Sequence, residues 1–209
     1  MKKKELISSI RDYLELKEFK LVSNEPSAVS LILGRKRIGI GYTNGVKGLR
    51  LPAQIAGYIS FPEVENILEP FYKKYGLGYQ PYTIYKTSRR FEHLSSIDLY
   101  TPEDIHKVGS ELRTMIYEDI LPFFEENDTL EKVHKHYLTL TDDQLSRYFI
   151  GELHLRIMAI KAILKISDFE KYSLETINSY KIESEGKYKH VFAPINGFLP
   201  DLYEKLKTI

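Results

Sequence analysis

Between Ala28 and Phe71 the apolar residues switch from a period of two to a period of 3.6, and no other stretch restricts the fold as strongly. The run from Ala28 to Leu33, broken only by Ser30, meets the basic turn Arg35-Lys36-Arg37, after which Ile38, Ile40 and Tyr42 alternate with Gly39 and Gly41. Asn44-Gly45 follows, a hairpin pair because both central positions tolerate positive φ. Over 54–61, Ile55, Gly57, Ile59 and Phe61 share one face at period two, which places that face in the core. Then Val64, Ile67, Leu68, Phe71 and Tyr75 repeat as one stripe of a helix able to cover the sheet. Ser60 and Glu63 around Pro62 have capping-box spacing, and Pro70 inside the helix predicts a bend near 66–70.

Ahead of this stretch, Leu6, Ile10, Tyr13 and Leu14 line one face of an amphipathic helix, with Ile7 at its edge, and Lys20–Ser23 reads as a short strand. The lysines at the start resemble the beginning of a signal peptide. Glu5, Arg11, Asp12 and Glu15 interrupt the apolar segment it would need, so neither secretion nor membrane insertion is expected. Strands are expected near 82–87 and 95–99. From Thr101 onward the pattern is helical, with helices near 102–126, 129–139, 142–149, 151–166, 168–184 and 198–207. Thr101/Asp104, Asp128/Glu131, Thr141/Gln144 and Ser167/Glu170 are spaced to cap four of them, and Pro122 should bend the first.

The fold class read from this order is α+β: an antiparallel β-meander sheet covered by helices, followed by an all-helical second half. The division falls at a sheet lobe, 1–100, and a helical lobe, 101–209, packed together. Charge divides the same way. Residues 1–100 carry 16 Lys and Arg against 10 Asp and Glu, and residues 101–209 carry 14 against 19, within an overall net charge of +1. Such asymmetry steers an acidic partner or holds two lobes together. Cysteine is absent, which removes disulfides, thiolate nucleophiles and cysteine zinc sites and fits a reducing, cytoplasmic setting.

Catalytic and cofactor signatures are missing. Glu103/His106 and Glu131/His134 repeat the Glu-x-x-His spacing of di-iron bundles, but both occupy first turns, where the helix dipole and capping explain the carboxylates. His134 and His136 point some 200° apart on a helix, unsuited to chelation. The Gly39–Gly45 run lacks a phosphate-loop pattern and leads into a strand, so Gly39 and Gly41 are read as positions of close approach to the sheet. No cofactor and no metal site is expected. The basic clusters Arg35–Arg37 and Lys86–Arg90 with nearby tyrosines suggest a nucleic-acid track, yet the near-zero net charge disfavours it.

Tyrosine is abundant, sixteen in all. Tyr72, Tyr79, Tyr82 and Tyr85, with Arg89 and Arg90, form the candidate surface for a protein partner, since Tyr and Arg concentrate binding energy. In 151–166, His154, Lys161 and Lys165 form one polar edge of an apolar helix. Glu152 and Arg156 form an i, i+4 pair opposite, the candidate for a partly buried charged group lining a pocket.

The segments G-Y-I-S-F-P-E-V-E-N-I-L (57–68) and I-L-P-F-F-E-E-N-D-T-L-E-K-V (120–133), in this order after a helix and a meander, resemble a group of bacterial domains of unknown function. The likeness covers about residues 3–140. Some members of that group look like immunity-type proteins, so the resemblance implies a non-catalytic, protein-binding module. The other function that fits the sequence is a small-ligand binder or enzyme with a pocket between the two halves.

Overall fold

The computed structural model describes residues 3–22, 28–44, 49–51, 54–187 and 189–209. Gly45 of the Asn44-Gly45 turn, and the side chains of Leu6 and Ile7, lie outside the described residues. The fold is α+β, an antiparallel sheet in the first half followed by helices. The chain gathers into two compact units, each made of two segments: Met1–Ile59 with Tyr85–Asn127, and Ser60–Ile84 with Asp128–Ile209. The change of composition near residue 100 falls inside the first unit.

In the first unit, helix α1 (Lys3–Tyr13) precedes β1 (Lys20–Val22), β2 (Ala28–Leu33), β3 (Lys36–Gly41), β4 (Thr43–Asn44), β5 (Leu49–Arg50) and β6 (Ile55–Ile59). Strand β7 (Ile84–Ser88) comes after the helix α2 (Pro62–Lys74), and β8 (Asp98–Leu99) after a 3₁₀ turn over Glu92–Ser96. The main sheet has the order β1-β2-β3-β6-β7, and β4-β5-β8 form a smaller one. Leu33 pairs with Lys36, which leaves Gly34-Arg35 as a two-residue turn with Gly34 at φ +56°, a conformation other residues adopt only with strain.

Register assigns the two faces of this sheet. Leu31 pairs with Ile38 and Ile38 with Gly57; Val29 pairs with Ile40 and Ile40 with Ile55. These residues are buried, as period two predicts. Their cover is the last part of the long helical stretch: a Cβ on Gly57 would lie 2.6 Å from Ile120 Cγ2 and 3.2 Å from Phe124 Cε1, so the missing side chain is what lets the helix lie on the strand.

The expected helix over 102–126 is broken instead into a 3₁₀ turn (Pro102–Lys107), α3 (Gly109–Thr114), a π-helical turn (Met115–Ile120) and α4 (Leu121–Glu126). Pro122 lacks an N–H, and the widened turn before it makes room for its ring. The second unit holds α2, α5 (Leu130–Tyr137), α6 (Asp142–Ser146), α7 (Leu153–Ile163), α8 (Phe169–Glu185) and α9 (Lys189–Leu206). Thr83 and Ile84 pair with Ile150 and Phe149. Every residue from Leu155 to Ala162 is buried, because α7 packs on α2, α5, α8 and α9.

The Thr101/Asp104 and Thr141/Gln144 capping boxes form as expected. Three other caps do not. Phe61 precedes α2 without a side-chain cap, Thr129 rather than Asp128 caps α5, and Asp168 precedes α8 without a capping bond. The last helix begins at Lys189, nine residues ahead of expectation, and runs through Pro194 and Pro200. Among the described residues no helix is long and apolar enough to cross a membrane.

Candidate functional site

The second unit is built around a charged pair. Glu65 sits on the buried face of α2 with Val64, Leu68 and Tyr72, and Arg156 is enclosed on α7. Arg156 Nε donates to Glu65 Oε1 and Nη2 to Oε2, both at 3.1 Å, and Nη2 also reaches the Gln80 carbonyl at 3.0 Å. Thr83 Oγ1 donates to Glu65 Oε1 at 2.8 Å while accepting from the Phe61 amide, and the Tyr79 hydroxyl donates to Oε2 at 2.9 Å. A bare buried carboxylate would cost several kcal/mol; here each oxygen receives two donors.

This arrangement takes up much of the expected interface. The hydroxyl of Tyr79 is held by Glu65, and burial, then the Glu65 charge, pushes its pKa up. Tyr72 is buried, its ring against Tyr79 and Phe198, and its pKa is pushed up to about 12 by burial, with the Arg156 charge acting in the opposite direction. Tyr82 is half-buried and Arg89 exposed. Arg90 is held by Glu118 and Asp119, the latter at 2.6 Å, and both the hydrogen bonds and the charges of these carboxylates raise its pKa.

Glu152 and Arg156 do not pair with each other. Glu152 stands in extended backbone just before α7, so helical i, i+4 geometry is unavailable to it, and its carboxylate accepts from Tyr180 at 2.6 Å. Lys161, expected on a polar edge, is 3% exposed. Its Nζ lies 2.6 Å from Asp168 Oδ1 and 5.1 Å from the Tyr172 ring centroid. Burial acts to lower its pKa, but the hydrogen bond to Asp168, with the Asp168 charge and the nearby Tyr137, outweighs it, and the ammonium is held charged. Among the described residues no three His, Asp or Glu side chains gather so as to hold a metal ion.

The first unit offers a different feature, on the other face of the main sheet. There Val22, Ala28, Ile32, Gly39, Gly41 and Thr87 are half-buried, while Ser30 and Ala56 beside Gly39 are buried. Across it runs a column of three side chains. The Arg37 guanidinium carbon stands 5.5 Å from the Tyr58 ring centroid, and the Tyr58 and Tyr85 rings stack at 6.2 Å with an interplanar angle of 18°. Arg37 and Tyr58 are register partners on β3 and β6, and Tyr85 lies on the edge strand β7. Gly39 makes room for the column, since a Cβ there would lie 3.0 Å from Tyr58 Cε2.

No family model matches the chain, and neither a curated protein nor a solved structure does. Geometry alone therefore carries the functional reading. Of the residues expected to bind a protein partner, the column includes Tyr85; Arg37 comes from the basic cluster at 35–37, and Tyr58 from the strand before α2. Their signal in the sequence was parity: Arg37 and Tyr58 occupy strand positions opposite in phase to the apolar face. Chemically the column is a flat apolar surface with a cation at one end, suited to binding contacts.

Proposed function

We propose that the chain is a non-catalytic binding protein, acting in the cytoplasm, that engages a protein partner through the half-buried face of its main sheet. The observation that carries this reading is the Arg37–Tyr58–Tyr85 column. Tyr and Arg are among the residues that most often dominate interface energetics: Tyr offers large contact area for two rotatable bonds, and Arg a planar guanidinium with five directed donors. The Arg37 guanidinium at one end of the column suits a partner with an acidic surface. The immunity-like resemblance of 3–140 points the same way, as does the absence of cysteine for the compartment.

The test is capture of partners from lysate of the native cells by the wild-type chain, followed by affinity measurement with the purified partner. Tyr85→Ala and Arg37→Glu should each weaken binding at least about tenfold, the range of a strong interface residue, while Leu174→Ala on exposed α8 surface should not. Equal affinity for wild type and the two sheet variants overturns the proposal.

A further inference from the structure

A concavity lies within the second unit, between the start of α7 and the middle of α8. Its volume is about 220 Å³ and it is lined by His154, Tyr172, Glu175, Thr176, Ser179 and Tyr180. That is smaller than the roughly 300–1,000 Å³ of pockets for drug-sized ligands. Three of its walls are rings. His154 meets Tyr180 edge-to-face at 6.2 Å and 86°, and Tyr172 at 6.2 Å and 39°.

The hydroxyls of both tyrosines are engaged. Tyr180 donates to Glu152 Oε2 at 2.6 Å, and the Tyr172 oxygen lies 2.8 Å from His154 Nδ1. A phenol that donates to a carboxylate carries more negative charge on its ring, which strengthens the attraction of that ring for a cation. Carboxylates stand on two sides of the cavity. Glu175 lines it and Glu152 stands behind Tyr180, while Lys171 reaches Glu175 only at 4.0 Å. The other nearby cation, Lys161, is matched by Asp168 at 2.6 Å and already sits on the Tyr172 ring at 5.1 Å, so this ring attracts an ammonium.

From this geometry we infer that the His154–Tyr172–Tyr180 cavity is a binding site for a small organic ammonium group, with the rings enclosing the alkyl substituents and Glu175 balancing the charge. His154 closes the cavity on its exposed side, with Nδ1 2.8 Å from the Tyr172 hydroxyl oxygen. The cavity size favours a free compound with one ammonium head over a large ligand.

Calorimetric titration of the full chain with choline, and in parallel with its uncharged isostere 3,3-dimethyl-1-butanol, tests the inference. Choline should bind with a dissociation constant in the range of about 0.1–5 mM, and the isostere about two- to fivefold more weakly, the discrimination of a cation–π contact at a partly exposed site. Glu175→Gln, at an exposed position that folding does not depend on, should weaken choline about two- to fivefold. Tyr180→Phe, which keeps the ring but loses the bond to Glu152, should weaken it as well. A trimethyllysine peptide binding more tightly than choline would assign the ammonium to a modified side chain instead of a free compound. Equal binding of choline and the isostere, no choline binding up to about 20 mM, or affinity unchanged by both substitutions overturns the site.

Discussion

Arg156 and Glu65, 91 residues apart in sequence, meet as a two-point pair with both nitrogen–oxygen distances at 3.1 Å and both side chains almost fully enclosed. The pair ties α7 to α2 and organises Tyr79, Thr83 and the Gln80 carbonyl around it.

Removing one partner leaves the other charged, buried and unpaired. Arg156→Met and Glu65→Gln should each lower stability by about 3–5 kcal/mol. Arg156→Lys should fall in the same direction, because an ammonium cannot make the parallel two-point contact. The double variant Glu65→Gln/Arg156→Met should be clearly less destabilised than the sum of the singles. Urea unfolding of the four chains measures this, and additive losses would show that the two residues are not energetically coupled.

Gly57 and Gly78 make a matched comparison. A Cβ on Gly57 meets Ile120 and Phe124, both buried, so Gly57→Ala should cost about 1–3 kcal/mol through overpacking. Nothing lies within 4 Å of a Cβ on Gly78, and Gly78→Ala should change stability by less than about 1 kcal/mol, toward greater stability if at all. Thermal denaturation of both variants distinguishes close helix approach from a general intolerance of glycine replacement.

Tyr72 carries a pH prediction. Its buried hydroxyl makes no hydrogen bond, so Tyr72→Phe should be stabilising by about 1 kcal/mol at neutral pH. Its folded pKa is about 12 against an ordinary value of 10.0, because burial disfavours the phenolate. Below pH 10 both states are protonated and stability is complete. As pH rises from 10 toward 12 the unfolded chain gives up the proton first, and stability falls by about 2–3 kcal/mol in all. Tyr72→Phe removes this contribution. The advantage of the variant in urea midpoint should therefore grow with pH from about 9 to 12; a constant difference would contradict the assignment.

Period and turn chemistry made the meander and the helix after it legible, but not the cover of the sheet: α2 belongs to the second unit, and Ile120 and Phe124 lie against Gly57. Alternation at Ile38/Ile40 and Ile55/Gly57/Ile59 assigns a face without any knowledge of partners, because a strand's side chains point to opposite sides whatever it pairs with. The Thr101/Asp104 and Thr141/Gln144 caps were readable for a similar reason: both partners lie within one turn. Where two residues could serve as cap, as at Asp128 and Thr129, spacing alone chose the wrong one.

The candidate sites were less legible. Glu152 and Arg156 looked like partners at helical spacing, and the helix begins one residue too late to join them. Tyr72 and Tyr79 looked like surface; Tyr72 is buried by ring packing against Tyr79 and Phe198, and Tyr79 is half-buried because Glu65 on α2 offers its hydroxyl an acceptor.

By itself, the sequence determined the α+β class, the buried face of the sheet, the helical second half and two of its capping boxes. All of these are set by interactions between residues a few positions apart or by a periodicity that repeats along one element. Only the tertiary structure decided that Arg156 answers Glu65, that Lys161 is enclosed beside Asp168, and that Arg37, Tyr58 and Tyr85 stack in one column. The pairing of Arg156 and the stacking of the column join side chains from elements distant in sequence. The enclosure of Lys161 depends on which neighbours pack against α7, and no local rule encodes that.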